Sequence, residues 1–186
     1  RVFIEKFIVG PRHIEIQILA DEFGNMVYLG ERECSVQRRH QKVIEESPSS
    51  LVDEDMRQEM GEQALLLAKA VNYSSAGTVE FVASNDKSFY FLEMNTRLQV
   101  EHPVTELVTG IDLVEKMINI SAKKPLGLVQ SDIKLTGWSV EARIYAENPI
   151  RDFAPSIGRL RKFIPPTQKE MSIRLDSGVQ EGGEIS

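Results

Sequence analysis

The chain has 186 residues, enough for one domain or one and a fraction. Its 41% hydrophobic and 27% charged content is that of an ordinary globular protein, and a net charge of −6 excludes a general nucleic-acid binder. Cys34 is the only cysteine, which excludes an internal disulfide and points to a reducing compartment; no apolar run reaches membrane-span length and no secretory signal is present. The sequence starts at Arg1 inside a strand-like run and stops in a Gly-rich turn at Ser186, so it reads as a piece of a longer protein.

The first forty residues predict a β-meander. Val2–Val9 is one strand, closed by Gly10-Pro11. In Arg12–Ala20, His13, Glu15 and Gln17 alternate with Ile14, Ile16 and Ile18, which predicts one wet face and one core face. Asp21–Asn25 is a turn and Met26–Leu29 the returning strand. Glu33–Glu46 gathers Arg38, Arg39 and Lys42 in an otherwise acidic chain; it is either a solvated face or an anion-binding strand or loop. Ser50–Asn72 predicts a helix, with Ser50 and Asp53 suiting its N-terminus and Met56, Met60, Ala64, Leu67, Ala68 and Val71 on its core face.

Thr78–Ser84 and Ser88–Asn95 then predict a β-hairpin, with Asn85, Asp86 and Lys87 as its turn. Centring the turn between Asp86 and Lys87 places Phe81 opposite Leu92, Val82 opposite Phe91 and Glu80 opposite Glu93. Like charges directly opposed are destabilising and call for a cation. Asn95 shares the parity of Glu93, so the three residues make an all-oxygen half-shell of the kind Mg²⁺ or Mn²⁺ prefers. Arg97, Gln99, Glu101 and His102 follow at once; Arg97, Gln99 and Glu101 share parity, which would present them on one side of an extended stretch. Short helices are predicted over Val104–Thr109 and Asp112–Ala122, broken at Gly110, with a stop at Lys123–Gly127. From Trp138 the pattern is β again, with Trp138, Val140, Ala142 and Ile144 alternating with Ser139, Glu141, Arg143 and Tyr145. Further strands are expected near 159–163 and 172–175.

Six stretches carry a family resemblance: EKF at residues 5–7, PRHIEIQ at 11–17, ERECSVQRRHQKVIEE at 31–46, GTVEF at 77–81, FLEMNTRLQVEHPVTE at 91–106 and VEARIYAENP at 140–149. In order and spacing they resemble biotin carboxylase over essentially the whole chain. Within the family, YSSAGTVEFV and GWSVEARIYAENP look most like acyl-CoA carboxylases of the propionyl-CoA type. The resemblance implies an α+β, ATP-grasp fold, with residues 1–125 its C-terminal portion and 136–186 the start of the β-rich C-terminal region. It implies an ATP-dependent ligase that carboxylates biotin with bicarbonate. Its cofactors would be ATP, Mg²⁺ or Mn²⁺, and biotin on a carrier domain outside this segment. Its partners would be that carrier domain and a carboxyltransferase, in an oligomer, with no nucleic acid and no membrane. It would lie in the cytoplasm of a bacterium or the mitochondrial matrix of a eukaryote.

The resemblance also implies roles for matching positions. Glu5, Lys6, Phe7 and Ile8 would run along the adenine. His13, Gln37 and His40 would contact the nucleotide. Glu80, Glu93 and Asn95 would hold the metal, with both glutamates bordering ATP. Lys42, Arg97, Gln99 and Val100 would line the bicarbonate pocket. Glu101 would deprotonate bicarbonate, and Arg143 would bind biotin and steady its enolate. The family's Gly-rich lid and two ATP-binding lysines have no match here, so the isolated segment is expected to be inactive. Two other readings are another ATP-grasp ligase, of the carbamoyl-phosphate or carboxylate–amine type, and a non-catalytic ATP-grasp fragment. In the family, biotin carboxylation does not contact the acyl-CoA, so these residues need not encode the acyl acceptor.

Overall fold

The computed structural model describes residues 2–4, 7–169 and 172–186. They fall into two compact units, Arg1–Ala142 and Arg143–Ser186. The first is built on an antiparallel sheet of β1 (Arg12–Ala20), β2 (Met26–Arg38), β3 (Gln41–Ser47), β4 (Ser75–Ala83), β5 (Phe89–Asn95) and β6 (Ser139–Ala142). The spatial order is β5-β4-β1-β2-β3-β6.

Helix α1 (Glu54–Ala70) covers one face of this sheet. Ile14, Ile16 and Ile18 of β1 and Val79, Phe81 and Ala83 of β4 pack there against Met56, Met60, Ala64 and Ala68. Each of the isoleucine, valine, phenylalanine and methionine side chains contributes about 1.5–3 kcal/mol by leaving water. Asp53 caps α1 by accepting from Met56 N at 3.0 Å, and Glu54 and Asp55 occupy the electropositive first turn. Gly61 lets the helix approach β2 closely: a Cβ there would lie 2.7 Å from the Tyr28 ring. The helix is shorter than the predicted Ser50–Asn72. Its cap is Asp53 rather than Ser50, which instead accepts from Arg12, and Val71 falls beyond the last turn and is exposed.

The opposite face carries α2 (His102–Thr109) and α3 (Leu113–Ser121). Leu19, Val27 and Leu29 meet Leu113, Ile120 and Leu126 there. Gly110 joins the two helices at φ +70°, a left-handed conformation that costs glycine little. Asp112 caps α3 by accepting from Glu115 N at 2.7 Å.

Three expectations are corrected. The described residues of Val2–Val9 form no strand, and Val2, Phe3, Ile4 and Phe7 are exposed. An apolar β-branched run fits a pleated surface but needs a partner edge to become one. The polar side of β1 is not wet, since Glu15 and Gln17 are fully buried. The strand from Trp138 stops at Ala142, and its alternation is inverted: Ser139 is buried against the sheet while Val140 is exposed.

In the second unit, β7 (Glu147–Asn148) pairs with β8 (Ala154–Pro155), and β9 (Gly158–Arg159) with β10 (Glu184–Ile185). The predicted strands near 159–163 and 172–175 reduce to β9 and a single bridge between Lys169 and Ile173.

Candidate active site

The site grows from the polar face of β1. Glu15 sits directly opposite Arg32 of β2. Arg32 reaches that face through a bulge: the pairing shifts between Ile16 and Ile18, where β2 supplies Leu29 and Gly30, the latter at φ +79°. Val27, Leu29 and even-numbered Arg32 thus face the same layer. The buried guanidinium donates from Nε to Glu15 Oε1 at 2.5 Å, and from its two terminal nitrogens to Gln17, Thr105, Thr78 and Gln99 at 2.7–3.1 Å. Burial opposes its charge, but Glu15 and Glu101 together outweigh burial and hold the guanidinium protonated.

Lys42, near the start of β3, points into the same space. Its Nζ donates to Glu15 Oε2 at 2.5 Å, Glu101 Oε1 at 2.6 Å and Glu80 Oε1 at 2.9 Å. Burial alone would push the ammonium down; the charges of Glu15 and Glu101 win and raise its pKa well above the ordinary lysine value. The carboxylates respond in the opposite sense. Burial pushes Glu80 up, but its close contacts with His13 and Lys42 hold it well below the ordinary range. Burial likewise pushes Glu101 up, and Lys42, followed by Arg32, brings it down. Burial drives the Cys34 thiol well above its ordinary value, so it stays protonated.

Glu80 lies opposite Glu93. The turn itself is centred on Asp86, with Lys87 at φ +66°, so Phe81 pairs with Phe91 and Val82 with Tyr90, one residue away from the predicted partners. A bulge at Leu92 restores the step before Glu93. It also lets Phe89 and Met94, five residues apart, both pack toward the α1 core, which strict alternation forbids. Asn95 donates to Glu80 at 3.0 Å and to Glu93 at 3.3 Å, and Gln99 donates to Glu80 at 2.8 Å. Four carboxylates (Glu15, Glu80, Glu93 and Glu101) therefore meet two full cations, Lys42 and Arg32. The two uncompensated charges match one divalent ion, and the donors around Glu80 and Glu93 are the hard oxygens Mg²⁺ takes. Rotating the Asn95 amide by half a turn would add its oxygen to the set.

The remaining expected residues divide. Gln37 donates to His13 Nδ1 at 3.2 Å, and His13 Nε2 lies 2.8 Å from Glu80 Oε2. Gln99 and Glu101 are buried in the network, whereas Val100 between them is exposed. Arg97 is exposed and donates to the carbonyl of Leu98 at 3.2 Å, so the cation beside Glu101 is Lys42 and not Arg97. Of the three residues that share parity, Gln99 and Glu101 are brought together, while Arg97, at a bend just past β5, stays exposed. His40 sits with Arg39 at the exposed tip of the β2–β3 hairpin, both at positive φ. Phe7 is exposed in irregular chain next to half-buried Ile8, and Glu5 and Lys6 lie outside the described residues. Arg143 opens the second unit, one residue past β6.

Glu15, Gln17, Arg32, Thr78 and Thr105 received no role from the sequence. Period-two alternation separates polar from apolar faces but does not tell a buried polar face from a wet one. The one available signal was Gly30, since an isolated glycine inside a strand marks a bulge.

Two family models match the chain in order. The carbamoyl-phosphate synthase L chain ATP-binding domain covers residues 1–129, and the biotin carboxylase C-terminal domain covers residues 141–186. The chain belongs to the biotin carboxylase family. The second match separates it from carbamoyl-phosphate-type ligases, which the first alone would have left open. The propionyl-CoA carboxylase alpha chain of Ruegeria pomeroyi is 59% identical over the whole chain, and the mitochondrial human one 58%. The chain spans 30% and 26% of those two proteins. The biotin carboxylase domain of Hydrogenobacter thermophilus 2-oxoglutarate carboxylase, solved as a dimer with MgADP, ADP and bicarbonate, superposes with a TM-score of 0.94 at 47% identity. That match covers 98% of this chain and 40% of that one. Biotin carboxylase from Campylobacter jejuni gives 0.92 at 49%, again covering 40% of the solved chain. The fold is thus part of an ATP-grasp biotin carboxylase domain, α+β in class.

Proposed function

We propose that the protein containing this segment carboxylates carrier-bound biotin at the expense of ATP and bicarbonate, as the biotin carboxylase component of a propionyl-CoA-type carboxylase. The observation that carries this reading is the shared lysine: Lys42 bonds Glu101 and Glu80 at once, joining the expected bicarbonate pocket to the expected metal site. Residues 1–125 supply the ATP-grasp portion and 136–186 the C-terminal portion, with Arg143 at the biotin.

Glu80, Glu93 and Asn95 would hold Mg²⁺ or Mn²⁺, which when bound offsets the repulsion between the phosphates of ATP and the incoming anion. The chain's own groups do the rest. Exposed Arg97 offers a planar two-pronged donor to bicarbonate, and Gln99 a neutral amide. Glu101 is a poor base while Lys42 donates to it. An anion that draws Lys42 away raises the basicity of Glu101 as substrate arrives, so the carboxylate becomes a base at the moment there is a proton to take. His13 and Gln37 would meet the nucleotide, with residues 5–8 and His40 along it. The carrier domain and a carboxyltransferase would be its partners in an oligomer. The compartment would be the matrix in a eukaryote and the cytoplasm in a bacterium; among the described residues no helix is long and apolar enough to cross a membrane.

The test is ATP cleavage by the intact protein, measured with and without bicarbonate, Mg²⁺ and biotin. Cleavage that depends on all three supports the reading, and cleavage indifferent to bicarbonate overturns it. Comparing propionyl-CoA with acetyl-CoA as acceptor then decides the type.

A further inference from the structure

Arg32 lies behind the site and is completely buried. All five of its N–H donors are used, and their acceptors come from four different pieces of chain. Nε donates to Glu15 and one terminal nitrogen to Gln17, both of β1; that same nitrogen also donates to Thr105 of α2. The other terminal nitrogen donates to Thr78 of β4 and to Gln99 of the loop before α2. Two of these contacts decide what faces the substrate. Glu15 gives Oε1 to Arg32 and so presents Oε2 to Lys42 at 2.5 Å. Gln99 gives its oxygen to Arg32 at 3.1 Å, which leaves its nitrogen to donate to Glu80 at 2.8 Å.

We propose that Arg32 is a positioning residue for the bicarbonate pocket, setting the direction of Lys42 through Glu15 and the orientation of the Gln99 amide. Its donors are spent on protein acceptors, which leaves none to offer a nucleotide or an anion. A lysine at this position keeps the charge but brings three donors on a flexible stem, and cannot satisfy acceptors spread over two strands, a loop and a helix. With Arg32 absent, Gln99 loses the second anchor that fixes its amide and is free to swing away from Glu80, and Glu15 is free to leave Lys42.

This inference rests on the proposed function, and its test separates the two. In the full-length enzyme, Arg32→Lys is compared with wild type for bicarbonate-dependent ATP cleavage, with thermal unfolding as the control for folding. The expected result is an apparent KM for bicarbonate raised at least about tenfold while that for ATP stays within about twofold. An unchanged bicarbonate KM in a folded variant overturns the positioning role, as does an equal rise in both KM values, the mark of a general structural defect. Should Arg32→Lys fail to fold, Glu15→Gln cuts the same link while keeping the side chain's shape. It is expected to raise the bicarbonate KM selectively, and an unchanged value there overturns the proposal. A wild-type enzyme without bicarbonate-dependent cleavage instead defeats the functional reading itself.

Discussion

Lys42 and Glu101 are joined at 2.6 Å, and Lys42 is the chief group that holds the Glu101 carboxylate low against the effect of its burial. It leaves Glu101 ionised but weakly basic until Lys42 is engaged elsewhere. Glu101→Gln keeps size and hydrogen bonding and removes the base. In the full-length enzyme kcat is expected to fall about 10²–10⁴-fold, the usual cost of losing a general base, with little change in the apparent KM for ATP. A variant with near-normal kcat leaves Glu101 as scaffold only.

The same cluster sets a pH window. Glu80 and Glu101 have folded pKa values below the ordinary 4.5, so their stabilisation is fully present above that value and disappears as pH falls through the folded values. Lys42 is raised, so its contribution is fully present below 10.5 and disappears as pH rises through its folded value. Thermal unfolding is expected to report a plateau from these three groups between about pH 5 and 10. Below it, Glu101→Gln should lose stability less steeply than wild type; parallel curves in acid would remove Glu101 from the account.

Glu93 is the exposed member of the facing pair and carries less structural duty than Glu80. Glu93→Gln is expected to raise the Mg²⁺ concentration needed for half-maximal activity by roughly tenfold or more, with thermal stability unchanged or slightly improved by relief of the like-charge pair. Titration of activity against Mg²⁺ reads this directly, and an unshifted curve takes Glu93 out of the metal site.

Gly61 tests how tightly α1 sits on β2. An alanine gains about 0.8–1.0 kcal/mol in helix propensity. Its Cβ meets the Tyr28 ring at 2.7 Å, and overpacking costs typically about 1–3 kcal/mol. Gly61→Ala is expected to lower Tm, and to lower it less on a Tyr28→Leu background. A Tm increase in the single variant would show that the interface has room.

Arg143→Ala separates the two half-reactions. It is expected to impair biotin carboxylation more than bicarbonate-dependent ATP cleavage, measured side by side in the intact enzyme. Equal loss of both assigns Arg143 a structural role.

The order of strands and helices from Arg12 to Ser121 was legible because helical and alternating periods are local properties of the chain. The facing of Glu80 and Glu93 was legible for a less secure reason. The turn was centred half a residue off, and a bulge at Leu92 cancelled the error on the far side of it. Bulges are tertiary accommodations, and alternation alone does not announce them. Arg32 shows the cost: counting by twos from Leu29 sends it to the α1 face, and only Gly30 hinted otherwise. Burial was the other thing hidden. Glu15 and Gln17 look solvated in a strand, and their partners Arg32, Lys42 and the Gly77 carbonyl come from residues up to 60 positions away.

The bulge at Leu92 also divides the hairpin mechanically. Outward of it, the tip from Phe81 to Phe91 keeps its own count of residues; inward, Glu80, Glu93 and Asn95 keep theirs. A residue gained or lost at the tip can be absorbed by dissolving or re-forming that bulge, in the way a slip joint takes up length. The carboxylates would hold their facing, at the cost of turning Phe89 out of the α1 core, so the bulge shields the site from changes that the tip itself would feel.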